Sequence, residues 1–131
     1  MSWGAEFNFY TTQARNFDQF VYENDDFLIL VAAGNSGAGD AANSVGSPAT
    51  AKNVIAVGSH HSWGSSNPPG SLGPAYVSDF SSRGPTSDGR MKPDVLAVGH
   101  AVLSAGGKSA FFCYKLLHIL YHIAEIFVLL S

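Results

Sequence analysis

The chain has one cysteine in 131 residues. That excludes an internal disulfide and a cysteine-rich metal cluster. It leaves the redox compartment unfixed, because disulfides are optional in larger secreted folds. Charge is also scarce: Asp, Glu, Lys and Arg make up 13%, about half the usual share. Lys and Arg number 7 and Asp and Glu 10, for a net charge of −3. Such mild acidity gives no electrostatic footprint for nucleic acid. No basic stretch leading into an apolar core opens the chain, so no signal peptide is expected. No internal repeat is visible. What is plentiful is apolar surface and turn chemistry: 46% hydrophobic residues, 14 Gly and 6 Pro. That hydrophobic share argues against disorder throughout, and the length suits one domain.

Residues 1–26 read as a loop followed by a helix. Tyr10, Ala14, Phe17 and Val21 form one stripe at helical period. Arg15, Asp18, Gln19 and Glu23 are expected on the remaining surface. Thr11 or Thr12 is a weak N-cap, and the acidic run 23–26 ends the helix. Residues 27–33 (FLILVAA) are apolar on both faces and read as a central parallel strand. Residues 54–58 (VIAVG) read the same way, and 94–98 (DVLAV) are a third strand candidate. The fold class is therefore α/β with a mostly parallel sheet. The connections between 37 and 93 are long and rich in Gly, Ser and Pro, a length that is usually functional or irregular surface.

Residues 107–131 change character. The stretch 111–130 is nearly all apolar, with Lys115, His118, His122 and Glu125 at spacings of 3, 4 and 3. It reads as an apolar C-terminal helix with one polar face. Three roles stay open: a buried or partner-facing helix, a tail foreign to the domain, or membrane contact, which four ionisable groups make expensive. His118 and His122 share a face, but HILYH lacks the glutamate of the metalloprotease pattern. The GKS at 107–109 lacks the first phosphate-loop glycine, whose place Val102 holds.

The sharpest local feature is Ala32-Ala33-Gly34-Asn35-Ser36-Gly37 at a strand end. A parallel strand stopping at glycine delivers its next side chain to the carboxyl edge of the sheet, where α/β sites form. The NH₂ of Asn35 could there meet a developing oxyanion. Read alone, Asn35 equally suits a turn in which Gly37 supplies positive φ.

With its neighbours, this stretch resembles the subtilisin-like serine proteases, the subtilases. The matching pieces run in family order: Ser2-Trp3-Gly4, AAGNSG at 32–37, SPATAKNVIAVGS at 47–59, SDFSSRGPTSDGRMKPDV at 78–95, then Ala97-Val98-Gly99 and VLSAG at 102–106. The resemblance implies a partial three-layer catalytic domain over 1–106, followed by a divergent tail over 107–131. It makes Asn35 the side-chain donor of an oxyanion hole. Ser2, Trp3 and Gly4 become the segment that pairs with an extended substrate, and Ala33 and Gly34 the wall of the P1 pocket. Pro48 sets a rigid turn at the border of that region, and Arg83 holds a loop packed under the site.

The partner implied is a peptide or protein substrate of a complete enzyme. The chemistry needs no cofactor; Ca²⁺ would be a structural ion of the complete domain. Asp79, Asp88 and Asp94 do not follow the EF-hand pattern and read as turn or surface carboxylates. Complete family members are commonly secreted, which leaves the compartment of this chain open.

The family triad runs Asp, His, Ser along the chain, with Asp and His ahead of the segment that Ser2-Trp3-Gly4 resembles. Here only Met1 precedes it. No Gly-Thr-Ser follows residue 106, Val98 stands where the family usually has proline, and Ser109 comes too early, after Lys108. The expectation is a central piece of a serine endopeptidase domain, inactive alone. The alternative is a catalytically dead remnant that binds peptides or a partner.

Overall fold

The computed structural model describes residues 3–63 and 71–102. Ser2, Ser109, the 107–131 tail and the helix expected within it lie outside the described residues. The chain divides into two compact units, one of residues 1–58 with 79–95, the other of residues 59–78 with 96–131.

In the first unit the expected helix forms as α1, Thr12–Glu23. Thr11 has extended backbone and its hydroxyl accepts from the Ala14 amide at 3.3 Å, a proper N-cap. The end is fixed by Asn24, whose backbone and side-chain N–H groups both donate to the Phe20 carbonyl, at 3.0 and 2.8 Å. Ala14 is fully buried against Val31, Ala33, Val45, Ala49, Ala51, Val54 and Ala56, with Phe17 and Ile29 packed beside them.

Asp18 departs from the sequence expectation. It is buried rather than solvated. Its carboxylate accepts from the Lys52 amide at 2.8 and 3.0 Å, the Asn53 amide at 2.6 Å and the Tyr10 hydroxyl at 2.7 Å. Burial and this bond raise the Tyr10 pKa. Asp18 thereby ties α1 to the turn before the second strand. Its position four residues after Ala14 puts it on the apolar stripe, a signal present in the sequence.

Strand β1 spans Leu30–Ala32 and β2 spans Ile55–His61. They run parallel with Leu30 opposite Ile55, Val31 opposite Ala56 and Ala32 opposite Val57. β3 is Val95–His100, and the strand order is β1-β2-β3. The result is a small α/β fold with a mostly parallel three-stranded sheet. β1 is shorter than the apolar run, because Phe27 and Leu28 are exposed on the exit from α1 and the Phe27 amide still donates to Asn24. β2, not β1, is the middle strand. The entry to β3 is held by reciprocal bonds: the Asp94 amide donates to the Ala56 carbonyl at 2.9 Å, and the Ala56 amide to the Asp94 carboxylate at 2.7 Å.

In the second unit, β2 continues past Gly58 because its polar residues find partners. The Ser59 and Ser78 hydroxyls lie 2.6 Å apart, and the Ser78 amide donates to the Ser59 carbonyl. The Leu72 amide donates to Nδ1 of the buried His61, whose ring stacks on His100 with centroids 4.0 Å apart.

Candidate functional site

The first unit brings three segments side by side; the outer and inner ones belong to stretches the sequence singles out, and the middle one leads into the 47–59 stretch. The outermost is the extended stretch around Trp3 and Gly4. Ala5 forms an antiparallel bridge with Ser47, its amide donating to the Ser47 carbonyl at 2.8 Å, while the Ser47 amide donates to Phe7. The middle segment is 44–47. Its Gly46 amide donates to the Ala33 carbonyl at 3.1 Å, which joins it to the innermost segment, the loop leaving β1. Thr11 and Ser47 hydroxyls are also bonded. A Cβ on Gly4 would stand 2.5 Å from the Ser47 carbonyl oxygen. This packing alone requires glycine there, whatever else the segment does.

The loop 33–37 is pinned on both sides of Asn35. Gly34 has φ +118, and a Cβ there would lie 2.6 Å from the Ser82 hydroxyl. Its carbonyl accepts from the Ser82 amide at 3.0 Å. The Ser36 amide donates to the Ser82 hydroxyl at 3.0 Å. The Gly37 amide donates to Phe80, and the Gly37 carbonyl accepts from Arg83 Nη1 at 2.6 Å. Arg83 also pairs with Asp40 at 3.0 Å. Arg83, expected to hold the 80–85 loop, thus bonds that loop to Gly37 and Asp40. The other turn reading needs correction: the positive φ sits at Gly34, while Gly37 has φ −86.

Between these anchors Asn35 is exposed. Its side chain takes up no hydrogen bond among the described residues. Ala33 is wholly buried in the apolar core, and Gly34 is half-buried. Trp3 is exposed. One link the sequence did not suggest joins the outer and inner segments: the Ser36 hydroxyl donates to the Glu6 carboxylate at 3.2 Å. Ser82 was legible only as part of the FSSRG stretch, since nothing in a serine's type marks it as the clamp.

The aspartates considered for Ca²⁺ have partners. Asp79 caps the Phe80 amide at 2.9 Å, and Asp94 accepts from Lys92 Nζ at 2.6 Å. Asp88 accepts from Arg90 and from the Thr86 hydroxyl, which lower its pKa to about 2. Among the described residues no group of three or more His, Cys, Asp or Glu could hold a metal ion. No described helix is long and apolar enough to cross a membrane.

A mostly parallel sheet with a hydrogen-bonded loop leaving one strand, on which the Asn35 side chain is exposed and unbonded among the described residues, defines the class: a small α/β protein. Comparison with known proteins gives the family. Residues 1–118 match the subtilase family, Peptidase_S8, and the chain belongs to it. It is similar to serine protease AprX of Bacillus subtilis, 40% identical over 59% of this chain and 16% of that protein. It is also similar to the serine protease/ABC transporter B family protein tagD of Dictyostelium discoideum, 27% identical over 77% of this chain and 9% of that protein. The chain thus spans less than a fifth of either relative.

Proposed function

We propose that this chain is the oxyanion-loop part of a subtilisin-like serine endopeptidase with a three-layer catalytic domain. Asn35 donates its side-chain N–H to the oxygen of a peptide carbonyl under attack. The observation that carries the reading is the exposed Asn35 amide between backbone anchors at Gly34, Ser36 and Gly37. A donor held in place before charge develops costs no reorganisation when the reaction occurs, and that is where such donors gain their value. Ser2, Trp3 and Gly4 offer backbone to an extended substrate in the manner of an added strand. Gly34 presents a wall without a side chain beside the P1 residue, and the buried Ala33 backs it. The nucleophile, its histidine and its aspartate are not supplied by this chain, which is inactive by itself. The chemistry needs no cofactor, and Ca²⁺ would serve the complete domain structurally.

Two measurements test this. A fluorophosphonate probe leaves every serine of this chain unlabelled; stoichiometric labelling abolished by denaturation would overturn the inactive reading. The second is a chimera in which the aligned stretch of this chain replaces that of AprX. The chimera cleaves peptides, and Asn35→Ala lowers kcat by roughly 10²–10³ with little change in KM. That magnitude is subtilisin's own. An active chimera indifferent to Asn35→Ala would sink the oxyanion role. Glycine at position 4 cannot serve as a probe of peptide binding, because substitution there collides with Ser47 before any peptide is involved.

A further inference from the structure

We infer that the Ser82 hydroxyl protects Asn35 from spontaneous deamidation. An exposed asparagine followed by a small residue is chemically vulnerable. The backbone nitrogen of the next residue loses its proton to solvent base and attacks Cγ. The amide nitrogen takes a proton from solvent, its bond to Cγ breaks, ammonia leaves, and a succinimide ring remains. Water then opens the ring to aspartate or isoaspartate. For Asn35 the attacking atom is the Ser36 nitrogen.

That nitrogen is engaged. Its N–H donates to the Ser82 hydroxyl at 3.0 Å, and Ser82 is buried. Attack requires this bond to break, because the nitrogen must give up the proton it donates to Ser82, and any turn of the Ser36 peptide plane carries it off Ser82. The neighbouring anchors on Gly34 and Gly37 resist the same motion.

The chain contains its own control. Asn43 is also exposed and also followed by serine. Its attacking nitrogen, that of Ser44, donates instead to the Arg83 carbonyl at 2.8 Å. The two Asn-Ser pairs share chemistry but differ in guard, one a side-chain hydroxyl and the other a backbone carbonyl. Only the first is removable by substitution. The consequence for activity rests on the proposed function: a carboxylate at position 35 would put negative charge where an oxyanion must form. The protection itself does not depend on that reading.

The test is peptide mapping by mass spectrometry of the full chain aged at mildly alkaline pH, comparing wild type, Ser82→Ala and wild type in denaturant. Ser82→Ala keeps the backbone bond from residue 82 to Gly34 and removes only the hydroxyl. Expected is a rise of roughly two- to tenfold in the Asn35 rate, the factor for one hydrogen bond, with Asn43 unchanged. An unchanged Asn35 rate in a variant that still protects Asn43 overturns the proposal. Should both rates rise together, the variant has lost the fold, and amide hydrogen exchange of the wild-type chain decides. The Ser36 amide then exchanges far more slowly than in the denatured chain; exchange at the denatured rate overturns the proposal.

Discussion

Asp18 and Asn35 are both short polar side chains, and the molecule treats them in opposite ways. Asp18 is buried, and its two oxygens are occupied by two backbone amides and a tyrosine hydroxyl. Asn35 is exposed, and the polar groups that hold its place belong to its neighbours' backbones. A structural polar group spends its hydrogen-bonding capacity on the fold. On the function proposed for it, Asn35 keeps that capacity free while the chain around it is held.

The largest effect that would sharpen this contrast comes from Asp18→Ala. It strands the amides of Lys52 and Asn53 and removes the tie between α1 and the turn before β2. Charge-assisted bonds to a partly enclosed carboxylate argue for a loss of about 2–4 kcal/mol, after allowing for water reaching the freed amides. The urea midpoint measures it. A loss within the range of ordinary surface substitutions, about 0.5 kcal/mol, would mean that Asp18 is not the anchor its contacts describe.

Next in size is Gly37→Ala. A Cβ there would collide with the Ser81 backbone carbonyl, and no flexible side chain can give way. The loop must move off the 80–84 stretch, at a cost of about 1–3 kcal/mol by analogy with overpacking. Arg83→Ala, which removes the bond to the Gly37 carbonyl, should loosen the same contact more mildly. If Gly37→Ala were neutral in thermal unfolding, the loop would not be pinned as described.

How much of this was legible in the sequence follows from the same contrast. The cap at Thr11 and the stop at Asn24 were readable, because capping is local chemistry. The three strands were readable as apolar runs, but their ends were not. β1 loses Phe27 and Leu28 to the exit from the helix, and β2 gains Ser59 and His61 through side-chain partners that hydropathy does not register. Charge suggests solvent for Asp18, although its spacing from Ala14 puts it on the buried stripe. Asn35 was legible because a strand end followed by glycine fixes where the next residue goes. The clamp beneath it was not, since Ser82 lies 46 residues beyond Ser36, the residue it holds.

Asp88 separates bonding from burial, since it is exposed yet bonded to Arg90 and Thr86. These bonds lower its pKa from 3.8 to about 2. The sign follows from the depressed folded value. Its contribution to stability is fully present above the ordinary carboxylate pKa and disappears as pH falls through about 2. The difference in stability between wild type and Asp88→Asn is therefore constant from neutral pH down to the ordinary carboxylate range and fades below it. Because solvent screens an exposed pair, the difference is small at any pH. A gap that widened on acidification would contradict the bonding.

The smallest expected effect tests the contrast most directly. Asn35→Ala removes a side chain with no bond among the described residues, and leaves Gly34, Ser36 and Gly37 with all of theirs. Its effect on stability should lie within about 0.5 kcal/mol, as for other surface positions without special contacts. The Ser36 amide should stay as protected from exchange as in the wild type. Either a larger destabilisation or a loss of that protection would show that Asn35 helps build its own loop. The amide would then be a structural group like Asp18, already committed to the fold and not available to a substrate.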